Sequence, residues 1–471
     1  MKKIISFFVF VLLGAMLCGQ SKNVRMVVTV DDEVRFFRGQ TELRVRGYTG
    51  EPTYKADYYI ATNGNDSNDG TTIATPWRTF THAAGVLDAG DTLMVRAGTY
   101  FQDFTVFVNN GSAGNPIVIM NYPGEAPVID GNGIELGGGA IVMVYSDYFH
   151  LEGMKVKGAD ASGAAIIVAG QNCQIRYCTV YDCLGSGIGV GGDDPGDGDD
   201  TIVEYCHVYD VYLDNEGGGE PSWGTGLSAR RSPDSVIIRH NIVHDVWGEG
   251  ISTYEATNTI IEDNIVYDCL SVLLYVSDAT DCLVQRNLVY QTGYMPDDGG
   301  VGIGHWVEGQ MPVNARNTFL NNIVYGCERN FRGFTMDNVT VYNNTFVNAN
   351  WGMCVQIDGH VSETSIFKNN IIIQEDGLPC IDVSGTPGNI DFGYNLYNKA
   401  YDEDAEGVGD VIGDPLFTKT GSILPGVLTG HYFDLQALSP AIDAALDVDL
   451  ADDYFGNARG NDPDIGAIEK Q

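Results

Sequence analysis

Arg239-His240-Asn241-Ile242-Val243-His244-Asp245 is one copy of a phrase that keeps returning along this chain. It comes back as Glu262-Asp263-Asn264-Ile265-Val266-Tyr267-Asp268, as Gln285-Arg286-Asn287-Leu288-Val289-Tyr290 and as Leu320-Asn321-Asn322-Ile323-Val324-Tyr325. Two later copies read Tyr342-Asn343-Asn344-Thr345-Phe346-Val347 and Lys368-Asn369-Asn370-Ile371-Ile372-Ile373. The anchor asparagines lie 23, 23, 35, 22 and 26 residues apart, Asn395 follows 25 later, and Cys178 and Cys206 take the same slot in two earlier copies. A period of this size means that each copy is one unit burying its apolar face against its neighbours. The units are short β-branched runs bounded by glycine and aspartate turns, with no 3.6-residue pattern between them. The phrase therefore predicts a parallel β-helix, one turn per copy, with equivalent residues stacked about 4.8 Å apart.

Composition fits one long solenoid. The chain has 471 residues, 44% of them hydrophobic, and 59 glycines for sharp corners. Its formal net charge is −37, from 63 acidic and 26 basic residues. Nucleic acid and anionic membrane surfaces need clustered lysine and arginine, so both are excluded as expected partners. The acidity reads as solubility or as cation binding.

Met1-Lys2-Lys3 and the apolar run over residues 4–13 predict a secretory signal over residues 1–20, too short to span a bilayer. Ala15-Met16-Leu17-Cys18 is a loose lipoprotein-type box, in which leucine stands where a small residue belongs; a lipid anchor at Cys18 is the alternative to plain export. No later apolar run is long enough for a membrane span. Cysteines recur in register (Cys173 with Cys282, Cys183 with Cys269 and Cys327), which predicts stacked interior positions and mostly free thiols. Export would permit a Cys178–Cys206 bridge between successive turns.

Residues 21–57 read as an N-terminal extension with an alternating strand (Val24, Met26, Val28, Val30). The next stretch, residues 58–131, carries Tyr59-Ile60-Ala61-Thr62-Asn63-Gly64-Asn65-Asp66, Pro76-Trp77-Arg78-Thr79, Ala89-Gly90-Asp91-Thr92, Val95-Arg96-Ala97-Gly98-Thr99-Tyr100 and Pro127-Val128-Ile129-Asp130-Gly131. It resembles the opening of secreted right-handed β-helix polysaccharide lyases, such as pectate lyases and chondroitinase-B-like alginate lyases, which implies that the parallel β-helix is right-handed. The resemblance implies a short helix over residues 77–87 capping the open first turn, where a bare sheet edge would otherwise be exposed. Repeats fill residues 132–400. Residues 401–471 carry Ser439-Pro440-Ala441-Ile442-Asp443, Asp453, Gly456, Arg459 and Asp464-Ile465-Gly466-Ala467-Ile468-Glu469, which resemble the closing segment of extracellular β-helix proteins. This fold hosts lyases, hydrolases, epimerases and adhesins, so chemistry has to be argued from a site.

Counting back from each anchor places Leu227, Ile251, Leu274, Ile303 and Phe331 inward. Two columns then face outward: Ser228, Ser252, Tyr275, Gly304, Arg332 and Arg230, Tyr254, Ser277, Trp306, Phe334. Aromatic rings stack on sugars and arginine grips carboxylates, so this face is the expected site. Insertions at residues 193–200, 213–223, 293–300 and 308–316 flank it. Trp223 and Trp247 occupy equivalent corners, as packing or as a sugar platform. Arg231 lies beside Glu255, as a surface ion pair or as substrate contacts. His305 falls inward by alternation, and only a bulge at Gly304 would make it catalytic. The carboxylates Asp193, Asp194, Asp197, Asp199 and Asp200 cluster around glycine turns, which suits either calcium (Ca2+) or a solvated loop.

Three functions stand. β-Elimination on an extracellular uronic-acid polysaccharide needs a neutralised carboxylate, a base and an acid, with Arg230 or Arg332 as clamp and Tyr254 or Tyr275 as acid/base. The face carries no lysine base, and the net acidity would require a bridging cation. Glycoside hydrolysis needs two carboxyl groups across the bond; Glu249, Glu255, Asp297, Asp298 and Glu308 lie on or beside the face, with Glu249 in Trp247-Gly248-Glu249-Gly250 the leading candidate. A non-catalytic glycan-binding or surface protein is the third.

Overall fold

The computed structural model describes strand backbone over residues 26–30, 33–38 and 41–45, and the chain from residue 55 to 471 apart from residues 103–104, 108, 216–223, 232, 296–299, 310–314, 352, 360–362, 376 and 385–388. The expected export signal and Cys18 lie outside these residues. Met26–Val30, Glu33–Arg38 and Thr41–Val45 form a small antiparallel sheet. From Tyr58 onward the chain coils into three parallel sheets of 13, 13 and 11 strands, with each strand pairing to its equivalent one coil later. The first sheet opens with Tyr58–Ile60, the second with Thr99–Phe101 and the third with Thr105–Phe107. The parallel β-helix expected from the repeat is the fold observed.

The anchor asparagines explain why the coils stack. Asn264 sits at the corner between Ile260–Glu262 of the first sheet and Ile265–Cys269 of the second, fully buried. Its Oδ1 accepts the backbone N–H of Asn241 at 2.9 Å and the side-chain amide of Asn241 at 3.1 Å. Its own Nδ2 donates to Ile238 O at 2.9 Å and to Asn287 Oδ1 at 3.0 Å. The same pattern runs through Asn287, Asn322, Asn344, Asn370 and Asn395. It ends where Asn395 donates to Asp410 Oδ1 at 2.9 Å. The residue before each anchor has a left-handed backbone, from His240 at φ 55° to Asn369 at φ 59°. That conformation is costly outside glycine, and the buried amide network offsets it.

All nine cysteines from Cys173 to Cys380 are buried and free, so the Cys178–Cys206 bridge is absent. Each thiol sits in the stacked interior, as register predicted. The capping helix is shorter than expected, Phe80–Ala84, because Gly85 ends it. Thr79 caps its start, accepting from His82 N at 3.1 Å, while Phe80 and Ala83 close the core over the first coils.

The final segment does more than close the last turn. After Val411–Ile412 completes the second sheet, the chain runs back along that sheet's outer face and buries Phe417, Leu428, Phe433, Leu435, Ile465 and Ile468 against Tyr267, Tyr290, Ile323 and Ile371. The first asparagine of each Asn-Asn doublet holds it down. Asn321 Nδ2 donates to Asp452 O at 2.9 Å, Asn343 Nδ2 to Asp464 O at 3.1 Å and Asn369 Nδ2 to Leu446 O at 2.8 Å. Buried Arg459 ties this strap together, donating to Asn321 Oδ1 at 2.8 Å, Gly466 O at 2.8 Å and Glu469 Oε2 at 3.1 Å.

Replacing an anchor amide leaves several buried groups unpaired. Asn287→Ala is expected to cost about 2–4 kcal/mol and to lower the melting temperature by several degrees in circular dichroism; an unchanged melt would show that the ladder does not stabilise the coils.

Candidate functional site

The third sheet presents the predicted face. Thr225–Arg230, Glu249–Tyr254, Leu274–Ser277, Ile303–Trp306 and Phe331–Phe334 pair in the order expected. Leu227, Ile251, Leu274, Ile303 and Phe331 are fully buried. The register aligns Ser228, Ser252, Tyr275, Gly304 and Arg332 in one column and Arg230, Tyr254, Ser277, Trp306 and Phe334 in the other. Over these columns lies a cleft of about 740 Å³ lined by Arg230, Trp247, Glu249, Ser252, Tyr254, Tyr275, Trp306, Glu308, Glu328 and Arg332.

Glu249 is the electrostatic centre of the cleft. It is only 7% exposed, opposite Thr225 on the preceding turn. Its neighbours have no room for a side chain: a Cβ on Gly248 would meet Gly224 O at 2.1 Å, and one on Gly250 would meet Leu273 O at 2.3 Å. Burial pushes the Glu249 carboxyl up to about 7; a hydrogen bond from Ser252 and the charge of Arg230 pull it down, while Glu308 adds to the rise. A carboxyl poised near neutrality suits proton transfer. Arg230 lines the cleft and has no ion pair among the described residues.

Tyr275 Oη donates to Glu308 Oε1 at 2.9 Å. Burial, with a further contribution from Glu308, raises its hydroxyl well above the usual range, so it stays protonated. Burial and the adjacent Glu255 carboxylate raise Tyr254. Trp306 stands edge-on to Tyr275 at 5.1 Å, and Arg332 lies over its ring at 5.1 Å while pairing with Asp358 at 3.3 Å. One coil further, Gln356 and Asp358 continue the two columns. Arg332 Nε, Gln356 Oε1 and Asp358 Oδ1 are shielded and unpartnered among the described residues, which marks a polar surface short of a polar occupant. Sequence reasoning stopped at Arg332 and missed this pair, although the same register extended by one coil reaches it.

Other expected residues fall elsewhere. His305 points inward: it is 1% exposed, packs edge-on to Phe319, and burial lowers its imidazole to about 4. Alternation holds through Gly304 without a bulge, so His305 is a core residue and does not reach the cleft. Arg231 pairs with Asp193 at 2.5 Å and not with Glu255, because the 193–200 insertion folds over that corner. Arg231 and Glu255 lie beyond the strand ends with left-handed backbones, φ 67° and 55°, outside the cleft lining. Trp223, Asp297 and Asp298 lie outside the described residues.

Three aspartates of residues 193–200 make contacts within the protein. Asp193 is engaged by Arg231, Asp197 Oδ2 accepts Asp194 N at 3.1 Å, and Asp199 Oδ1 accepts Asp234 N at 2.8 Å. Among the described residues no three His, Cys, Asp or Glu side chains converge on a metal position. No helix among them is long and apolar enough to cross a membrane.

A coiled three-sheet scaffold with a polar, aromatic cleft on one face defines the class of polysaccharide-lyase-like β-helix proteins. The chain belongs to the family described as "Pel9A-like, right handed beta helix region", whose profile matches residues 58–370. It is 42% identical over 79 residues to the uncharacterized protein YwoF of Bacillus subtilis (strain 168), covering 17% of this chain and 16% of that one. It is 35% identical over 77 residues to pectate lyase PEL9 of Emericella nidulans, covering 16% and 18%. The matched segments thus span about a sixth of the length of these curated relatives. The crystal structure of pectate lyase Pel9A superposes with a TM-score of 0.53 at 19% identity, over 89% of this chain and 97% of that one, which shows the shared fold.

Glu249 makes stability depend on pH. From the ordinary 4.5 up to about 7 the folded chain holds a proton that the unfolded chain releases, so stability falls as pH rises through that window. Glu249→Gln is expected to melt several degrees above the parent at about pH 8, and at or below it at about pH 5. Parallel melting curves at both pH values would show that Glu249 is ionised throughout.

Proposed function

We propose that the protein is an extracellular carbohydrate-active enzyme that cleaves a uronic-acid-containing polysaccharide by β-elimination in the third-sheet cleft. The observation that carries this reading is the pairing of Glu249, held near neutrality, with the uncommitted guanidinium of Arg230 in one cleft. Arg230 grips the substrate carboxylate and acidifies the proton on C5. Glu249 takes that proton. The C5–H electron pair forms the C4–C5 double bond, the C4–O bond breaks, and the leaving oxygen receives the proton of Tyr275, which Glu308 holds in place. Trp306, Arg332, Gln356 and Asp358 bind sugars further along the groove. Family membership and the pectate lyase relative support elimination; export is part of the proposal and rests on the residue 1–20 pattern. No step passes through calcium, since the aspartate loop does not offer it a converging donor set.

One observation favours a second reading, glycoside hydrolysis. Glu308 is close enough to raise Glu249, so one cleft holds two carboxyl groups in unlike environments, as that chemistry requires.

Incubation with pectin, alginate, ulvan and glycosaminoglycans separates the readings. Elimination gives ultraviolet absorbance from the new double bond, with a rate that rises with pH through about 7 because Glu249 acts as the base. Glu249→Gln is expected to cut kcat by about 10²–10⁴, and Arg230→Ala to raise KM with the fold intact. New reducing ends without absorbance, at a rate that falls through the same pH, would establish hydrolysis. Neither product on any glycan would leave a binding protein.

A further inference from the structure

Besides the third-sheet cleft, the chain carries a pair of hollows on another sheet. Tyr325, Val347 and Ile373 stack in register at the ends of three successive second-sheet strands, Ile323–Tyr325, Thr345–Val347 and Ile371–Ile373. The strap passes over them without touching down completely. It leaves one hollow of about 560 Å³ beneath residues 414–419 and another of about 600 Å³ beneath residues 423–425. Tyr325, Asn348 and Glu375 line both, so the two are lobes of one groove. Lys419 of the strap reaches Glu375 Oε1 at 3.3 Å where the lobes meet, and both side chains are more than half exposed.

The lining says what fits. Asn348 and Glu375 fix each other, with Glu375 N donating to Asn348 Oδ1 at 2.9 Å and Asn348 Nδ2 to Glu375 Oε2 at 3.0 Å. Asn398 and Gln436 add amides to the first lobe, and Tyr432 meets Tyr325 edge to face at 6.3 Å. Gln291, in the second lobe, is 3% exposed; its Nε2 donates to Cys269 O at 2.6 Å, while its Oε1 has no partner among the described residues. A shielded amide oxygen at the wall of a hollow needs a donor from an occupant. Amides, tyrosine rings and one mutually neutralised ion pair match a hydroxyl-rich, uncharged ligand, and the carboxylate of Asp414 disfavours an anion.

We propose that this groove is a second glycan-binding site, which takes consecutive sugars of a neutral oligosaccharide, with hydroxyls donating to Gln291 and the Asn348–Glu375 pair and sugar faces resting on Tyr325 and Tyr432. It lies on a different sheet from Glu249 and does not rest on the reading of that cleft. It gives the protein a hold on neutral chains or side branches while the third-sheet cleft engages the chain to be cut.

The test is native affinity electrophoresis of the full-length Glu249→Gln protein through gels containing soluble galactan, arabinan or arabinoxylan. Retardation by at least one of these is expected. Asn350→Trp fills the second lobe from its exposed rim, and Asn348→Gly removes the amide while keeping the left-handed backbone. Each is expected to weaken binding by about tenfold or more, with melting temperature close to the parent and Arg230→Ala without effect. No retardation by any of these neutral chains, or retardation untouched by both groove variants, would overturn the proposal. Loss on Arg230→Ala would reassign the binding to the third-sheet cleft. Because the protein tested lacks Glu249, failure here leaves the proposed cleavage standing, and failure of cleavage leaves this site standing.

Discussion

The buried asparagine ladder is the constraint on which the rest depends. A coil of about two dozen residues must turn sharply between the first and second sheets, and its corner buries backbone groups that no strand can pair. Each anchor amide answers for two coils at once. Its oxygen takes the N–H groups of the copy before, and its nitrogen reaches back to a strand carbonyl of that earlier coil. The ladder thereby fixes both the corner conformation and the register between coils. A slip of one residue would turn every outward column inward, so the site inherits its order from side chains on the opposite edge of the coil.

The cleft shows what that order supplies. Arg230, Tyr254, Ser277 and Trp306 come from four separate coils yet form one row, because parallel strands in fixed register need no loop to bring them together. The rest comes from departures within the repeat. Gly248 and Gly250 draw neighbouring coils close around Glu249, and a carboxyl at that constriction loses its water and with it the ordinary tendency to ionise.

Much of this was legible in the sequence, and the limits have physical causes. The columns and the inward row follow from counting back, since period two along a strand and one coil per copy leave no freedom. His305 followed the same alternation into the core. Arg231 was misassigned because its partner, Asp193, comes from an insertion, and a loop outside the period has no register to count. The degree of burial at Glu249 was hidden as well, since it depends on Thr225 and Gly224 of the preceding coil approaching closely. The doubled asparagines read as one repeated signal, yet they divide the work: Asn322 pairs coil to coil, while Asn321 reaches outward to the strap.

That division bears on how the molecule forms and how long it lasts. Each coil rests on its predecessor, so the solenoid can grow by local addition with little closure entropy at any step. The strap obeys another rule. Its bonds from Asn321 to Asp452 and from Arg459 to Asn321 join residues 131 and 138 apart, so they close only after the intervening coils exist. Contacts made this late are absent from the barrier to folding, and breaking them adds to the barrier to unfolding. Three asparagines on successive coils thus act as a kinetic lock, slowing the opening of the helix from its flank without slowing its assembly.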